Sequence, residues 1–147
     1  MADLMFNIGR GSAIAEYNGG ADFIVVLLKV AEADDTLRDY DTLAAVLGAA
    51  GNTEADFTNY ARKTITNANI ALTVDDTGND AQLDFPDQTW TSAGGASNNN
   101  VVKLLVCVDG ASDAARLPLT LHDFVVTTDG NDLTAEIASA GFYSSTD

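Results

Sequence analysis

Two runs in this 147-residue chain, DFIVVLLKV at 22–30 and VVKLLVCVD at 101–109, are apolar at consecutive rather than alternate positions. Successive side chains of a strand point to opposite faces, so a strand of this kind has to be covered on both sides. Each run therefore predicts a strand inside a sandwich, or one pressed against a neighbouring subunit. The longest uninterrupted stretch, Phe23 to Leu28, is ended by Lys29 and is far too short to span a bilayer. No membrane association is expected.

The residues between these runs speak for turns. Of the 22 acids, 18 are Asp and only four are Glu. Asp favours turns and caps, whereas Glu favours helix interiors, so many turns and little helix are expected. A hydrophobic content of 46% argues against disorder despite a net charge of −15. The length suits one domain with a real core. A pI near 4.1 repels phosphate backbones, so no nucleic-acid partner is expected, and the charge suits a basic partner surface. In MADLMFNIGRG no cationic region precedes an apolar one, so no signal peptide is expected and synthesis is expected in the cytoplasm.

Along the chain, residues 1–21 carry Gly9, Gly11, Gly19 and Gly20 among scattered apolar residues. They read as an extended N-terminal arm with a short strand at 12–17. Residues 22–147 read as a single β-rich domain. One short helix is expected over 41–50, capped by Asp41, with Leu43, Val46, Leu47 and Ala50 on one face and Gly51 at the C′ position. It would serve as a lid over a sheet edge or the end of a barrel. Ile70, Leu72 and Val74 then alternate with polar or small residues, break at DDTGND (75–80), and resume at Leu83 and Phe85. That is a hairpin with a polar tip. A short strand is expected around Trp90, followed by SAGGASNNN (92–100), an exposed, mobile loop without a hydrophobic anchor. Asp129-Gly130 predicts a second hairpin, joining 122–128 to 132–137. About seven to eight strands separated by turns predict a mainly β fold, a β-sandwich or jelly-roll-like domain with one short helix.

Groups able to do chemistry are scarce. The one Cys, Cys107, permits no internal disulfide or Cys-rich metal site, and in so apolar a strand it acts as a small hydrophobe. The one His, His122, precedes Asp123 in a strand, where neighbours face opposite ways and make no dyad. No catalytic, cofactor-binding or metal-ligating residues are assigned. Asp75, Asp76, Asn79 and Asp80 match turn chemistry better than the spacing of a calcium loop. Trp90 reads as a core or interface plug, with stacking on a sugar as the alternative. Arg62-Lys63, the one adjacent basic pair, reads as an ion-pair site either to the chain's own acids or to a partner.

Three segments carry a family resemblance: TEADFTNYARKTITNANIALTV (53–74), DQTWTSAGG (87–95) and LPLTLHDFVVTTDGNDLTAEIASAGFY (117–143), joined by LLKVAEADDTLRDYDTL. Laid out in this order, they resemble a family of small structural proteins of tailed phages, of the capsid decoration (cement) type. The likeness is one of string order across roughly the last two thirds of the chain, not of a catalytic motif. It implies a non-enzymatic virion protein that binds the outside of the capsid lattice and clamps adjoining subunits. Its partner would be the major capsid protein, with the chain itself a homo-oligomer, dimer or trimer. Met5, Phe6, Ile8 and Arg10 in the arm, the pair Arg62 and Lys63, and Phe142 and Tyr143 near the end are the candidate capsid or subunit contacts. The alternatives are a head–tail junction or tail component, and then a carbohydrate-binding or adhesin module built on Trp90 and the 92–100 loop. A hydrolase would need His122 and a nucleophile to converge in a cleft.

Overall fold

The computed structural model describes residues 3–5, 16–17, 19–75, 77, 80–138 and 141–146, with the backbone alone for 3–5, 75, 80, 145 and 146. The first strands are β1 (Asp3–Met5), β2 (Phe23–Val30), β3 (Thr53–Glu54) and β4 (Lys63–Ile65). Next come β5 (Ala71–Asp75), β6 (Asp80–Asp84), β7 (Gln88–Trp90) and β8 (Asn100–Val108). The last are β9 (Leu117–Thr127), β10 (Leu133–Ala135) and β11 (Tyr143–Thr146). Two short helices, α1 (Asp34–Leu37) and α2 (Leu43–Gly48), separate β2 from β3. The fold is mainly β and sandwich-like.

The two doubly apolar runs become neighbours. β2 and β8 pair antiparallel from Phe23 opposite Val108 to Leu28 opposite Lys103. They form the middle of a six-stranded sheet ordered β1-β9-β8-β2-β3, with β4 also pairing β2. On one face, Phe23, Val25, Leu27, Leu104, Val106 and Val108 pack against the smaller sheets. On the other, Ile24, Val26, Leu28, Leu105, Cys107 and Leu121 lie beneath Leu37 of α1 and Leu43 and Val46 of α2. Removing each such Leu or Val from water stabilises the fold by about 1.5–3 kcal/mol. That is why a pattern apolar on both faces is tolerated at the centre of this sheet.

The opposing layer consists of a three-stranded sheet, β11-β6-β5, and a two-stranded one, β10-β7. Ile70, Leu83, Phe85, Trp90, Phe142 and Tyr143 turn inward from it. Phe142 meets Phe23 edge-on at 5.6 Å and Phe85 at 4.7 Å between ring centroids, joining the small sheet to the large one. The expected hairpin over 71–84 is present as β5 and β6.

Several local expectations are corrected. α2 begins after Thr42, whose Oγ1 accepts a hydrogen bond from Ala45 N at 3.1 Å, so Thr42 and not Asp41 is the cap. The helix ends on extended Ala49, and Gly51 is not left-handed. Gly51 is needed because a Cβ there would collide with the side chain of Glu32. α2 also lies over the face of the main sheet, not its edge. A helix that the expected single one leaves out, α1, is held by Leu37, which is fully buried. Glu16 and Tyr17, assigned to a short strand, are helical. Within the expected arm, Asp3–Met5 lie as a strand along Thr120–His122 of β9.

The 92–100 loop is anchored, contrary to its composition. Ala93 is fully buried, Ala93 N donates to Asn131 O, and Gly94 N donates to Thr58 O at 2.9 Å. Gly94 has φ +95, and a Cβ there would press on Thr128. This docking also defeats the hairpin expected at Asp129-Gly130. Gly130 N donates to Ala93 O, and β10 is handed across to pair with β7 instead of folding back on β9.

Leu105→Ala, in the doubly covered centre, is expected to destabilise the protein by about 3 kcal/mol in urea melts. Val125→Ala, at a position 82% exposed on β9, should change stability by less than about 0.5 kcal/mol.

Candidate functional site

Cys107 and His122 do not form a reactive pair. Burial pushes the Cys107 thiol up to about 12, and its side chain lies on the helix-covered face. A thiol held protonated is neither a nucleophile nor a metal ligand. His122 Nε2 shares a hydrogen bond with Thr120 Oγ1 at 2.8 Å on the same strand. Asp123 instead takes a hydrogen bond from Lys103 of β8, whose Nζ also lies 2.5 Å from Asp34 Oδ1. Burial alone would lower the Lys103 pKa, but the bonds to Asp123 and Asp34 outweigh it and hold the ammonium above its usual range. Chemically this is a clamp that ties α1 to the sheet.

The densest charge cluster is built around Arg62. Its Nε and Nη2 each bond Glu54 at 2.7 Å, a two-pronged contact. Nη1 and Nη2 reach Asp113 at 2.6 and 3.0 Å. Arg116 then bonds Asp113 at 2.6 Å and Asp109 at 2.8 Å. Tyr60 adds a hydrogen bond to Glu54 at 2.8 Å and accepts one from Leu27 N at 3.2 Å. The hydrogen bonds from Arg62 hold the Asp113 carboxyl below its usual range, and those to Glu54 and Asp113 raise the guanidinium of Arg62. The network fastens the 109–116 loop to the β2-β3 end of the main sheet. Arg62 is therefore committed to the chain's own acids, so the internal reading describes Arg62 but not Lys63. Lys63 lies over the ring of Trp90, 5.5 Å from its centroid.

The other sequence candidates are distributed rather than gathered. Phe142 and Tyr143, assigned to a partner contact, are core residues 5% and 3% exposed, because β11 pairs with β6 and turns them inward. Trp90 is 1% exposed and its Nε1 donates to Ala61 O at 2.8 Å, so it has no ring face to offer a sugar. Met5 lies in β1, where its backbone stands opposite Thr120. Phe6, Ile8, Arg10, Asp76 and Asn79 lie outside the described residues. Among the described residues, no three His, Cys, Asp or Glu side chains are grouped to hold a metal. Likewise no described helix is long and apolar enough to cross a membrane.

Residue patterns missed two polar clamps and one recess. Asn52 accepts from Glu32 N at 2.8 Å and donates to Glu32 Oε2 and Val46 O. Asn99 accepts from Asp56 N at 2.8 Å and donates to Asp56 Oδ1. Both look like ordinary loop asparagines in sequence, since their partners are distant along the chain. The recess, about 140 Å³, opens beside His122 between β9 and the segment after β10. Compared with known proteins, the chain matches no family model, no curated protein and no solved structure.

Arg62→Ala strands Glu54 half-buried without its cation and leaves Asp113 to Arg116 alone, and a loss of about 2 kcal/mol is expected by urea denaturation. Because the folded-state pKa of Asp113 is depressed, its contribution is complete above the unfolded value near 3.9 and fades as pH falls through the folded value. The stability gap between wild type and Asp113→Asn should thus narrow between about pH 5 and pH 2. Cys107 should react with a thiol reagent only after denaturant is added.

Proposed function

We propose that this chain is a non-enzymatic structural protein of a tailed-phage virion, a decoration or cement protein that binds and stabilises the outer surface of the capsid. The observation that carries the reading is where the charges go. Seven Lys and Arg stand against 22 acids, and every cation but Arg10, which lies outside the described residues, is engaged within the chain. Lys29 pairs with Asp56, Arg38 with Asp35, Arg62 with Glu54 and Asp113, Lys103 with Asp34 and Asp123, and Arg116 with Asp109 and Asp113. Lys63 sits over Trp90. The surplus acids, among them exposed Asp41, Asp87, Asp129, Asp132 and Glu136, leave the chain strongly negative overall. Such a chain is steered to a basic partner and repels nucleic acid.

The resemblance in segment order to small phage structural proteins supports the particular form of this reading. The partner would be the major capsid protein, and the chain would sit on the capsid exterior as a dimer or trimer, as symmetric lattices favour. The same likeness leaves a head–tail junction or tail component as the second reading, which differs in copy number. The adhesin reading loses its basis with Trp90 enclosed and the 92–100 loop pinned down.

Quantitative mass spectrometry of purified virions tests the assignment. Abundance comparable to the major capsid protein is expected, and virions lacking the chain should lose their genome at lower temperature. A few copies per particle would move the protein to the neck or tail, and its absence would overturn the virion reading.

A further inference from the structure

Two features meet on the outer edge of β9. β1 runs beside β9 only from Met5 opposite Thr120 to Asp3 opposite His122. Beyond that point, among the described residues, no strand pairs the outer side of Asp123–Thr127, although β8 continues along the inner side as far as Thr127. This stretch is DFVVT, and Val125 at its centre is 82% exposed, the most exposed large apolar side chain described. A sheet edge of this kind offers a row of backbone donors and acceptors to any extended chain.

The second feature is the recess beside the same edge. It is lined by Leu104, Val106, His122, Phe124, Ile137 and Phe142, and its volume of about 140 Å³ is of the order of one large side chain. Phe124 belongs both to the open stretch of β9 and to the recess wall. An extended segment laid against β9 would direct alternate side chains toward that wall. Open edge and side-chain pocket together are the two halves of strand addition, in which main-chain hydrogen bonds give affinity and the pocket gives selectivity.

We infer that the β9 edge at Asp123–Thr127, with its recess, is a docking site for an extended, cationic segment of a partner protein that inserts one apolar side chain. Charge selects this occupant over a second copy of the chain. Each copy carries −15 and exposed Glu136 stands at the recess, whereas Asp123 on the edge is already paired with Lys103. A copy of the same chain would bring more acids to that edge, whereas Lys or Arg flanking the apolar residue would meet opposite charge. The inference stands apart from the virion reading, since it concerns the chemistry of the surface and not the particle that supplies the segment.

The probe is a synthetic peptide, Thr-Lys-Val-Leu-Val-Lys-Thr, whose lysines share a face with the central Leu, titrated into the full chain and followed by fluorescence anisotropy and amide hydrogen exchange. Binding with slowed exchange at Phe124–Thr127 is expected. Ala138→Phe, an exposed position on the recess wall, should fill the recess and weaken binding by about tenfold. Val125→Lys should weaken it too, and replacing both peptide lysines with Glu should abolish it. Circular dichroism identifies any variant that has not folded, and the two variants sit in different elements. No binding, binding without protection at Phe124–Thr127, or indifference to both folded variants and to peptide charge would overturn the proposal. So would protection of those amides that rises with protein concentration alone, because a second copy would then be the occupant.

Discussion

The antiparallel contact between β2 and β8 is the constraint from which the other layers follow. Both strands are apolar on both faces, and their register leaves almost no polar side chain between Phe23 and Leu28 on either side. A sheet with such a centre cannot face water on one side, as many antiparallel sheets do. The chain answers with two unlike covers. The stretch between β2 and β3 supplies Leu37, Leu43 and Val46 from two short helices, and the stretches after β4 and β9 supply aromatic residues from two small sheets. The helical cover cannot stand alone. Helices of four and six residues are far below the length at which a helix holds itself together in water.

Polar interactions then fix what the core leaves undetermined. A hydrophobic face does not dictate how a loop lies on it, because burial is nondirectional. Asn52, Asn99 and the Arg62 network are directional, and each joins segments far apart in sequence. Arg62 to Asp113 holds the loop before β9 against the β3 edge, and Asn99 with Thr128 seats the 92–99 loop beside the end of β9. The scarcity of cations gives this arrangement its outward consequence. With the described Lys and Arg turned to the chain's own carboxylates or to Trp90, the remaining acids leave the chain strongly negative overall, and ionic attraction to a partner has to come from that partner's cations.

Some of this was legible in the residues. The doubly apolar runs, the β5-β6 hairpin, the breadth of turn chemistry and the enclosure of Cys107 all follow from local pattern, since side-chain alternation and Asp or Gly punctuation are properties of a few adjacent residues. Where expectation failed, a distant contact had overridden a local signal. Asp129-Gly130 has the residues of a hairpin turn, yet hydrogen bonds from Ala93 and Gly130 divert it to the opposite layer. SAGGASNNN has the composition of a free loop, yet Thr58, Asn131 and Thr128 hold it. Phe142 and Tyr143 stand alone as aromatics near the end of the chain, and only the pairing of β11 with β6 turns them into core. α1 lacks a capping side chain, and its one buried residue, Leu37, makes no periodic pattern.

By itself, then, the sequence determined that the protein would be a turn-rich β domain with two enclosed strands, one acidic exterior and few groups able to do chemistry. Composition and short-range alternation act through the local backbone and through net charge, neither of which needs a fold to be known. Among the described residues, tertiary structure alone decided which faces and edges are covered. It buried Trp90, Phe142 and Tyr143, committed Arg62 to Glu54 and Asp113, and left the outer edge of β9 beside an apolar recess. Exposure is a property of what packs against a residue, and those neighbours come from parts of the chain that no local pattern brings together.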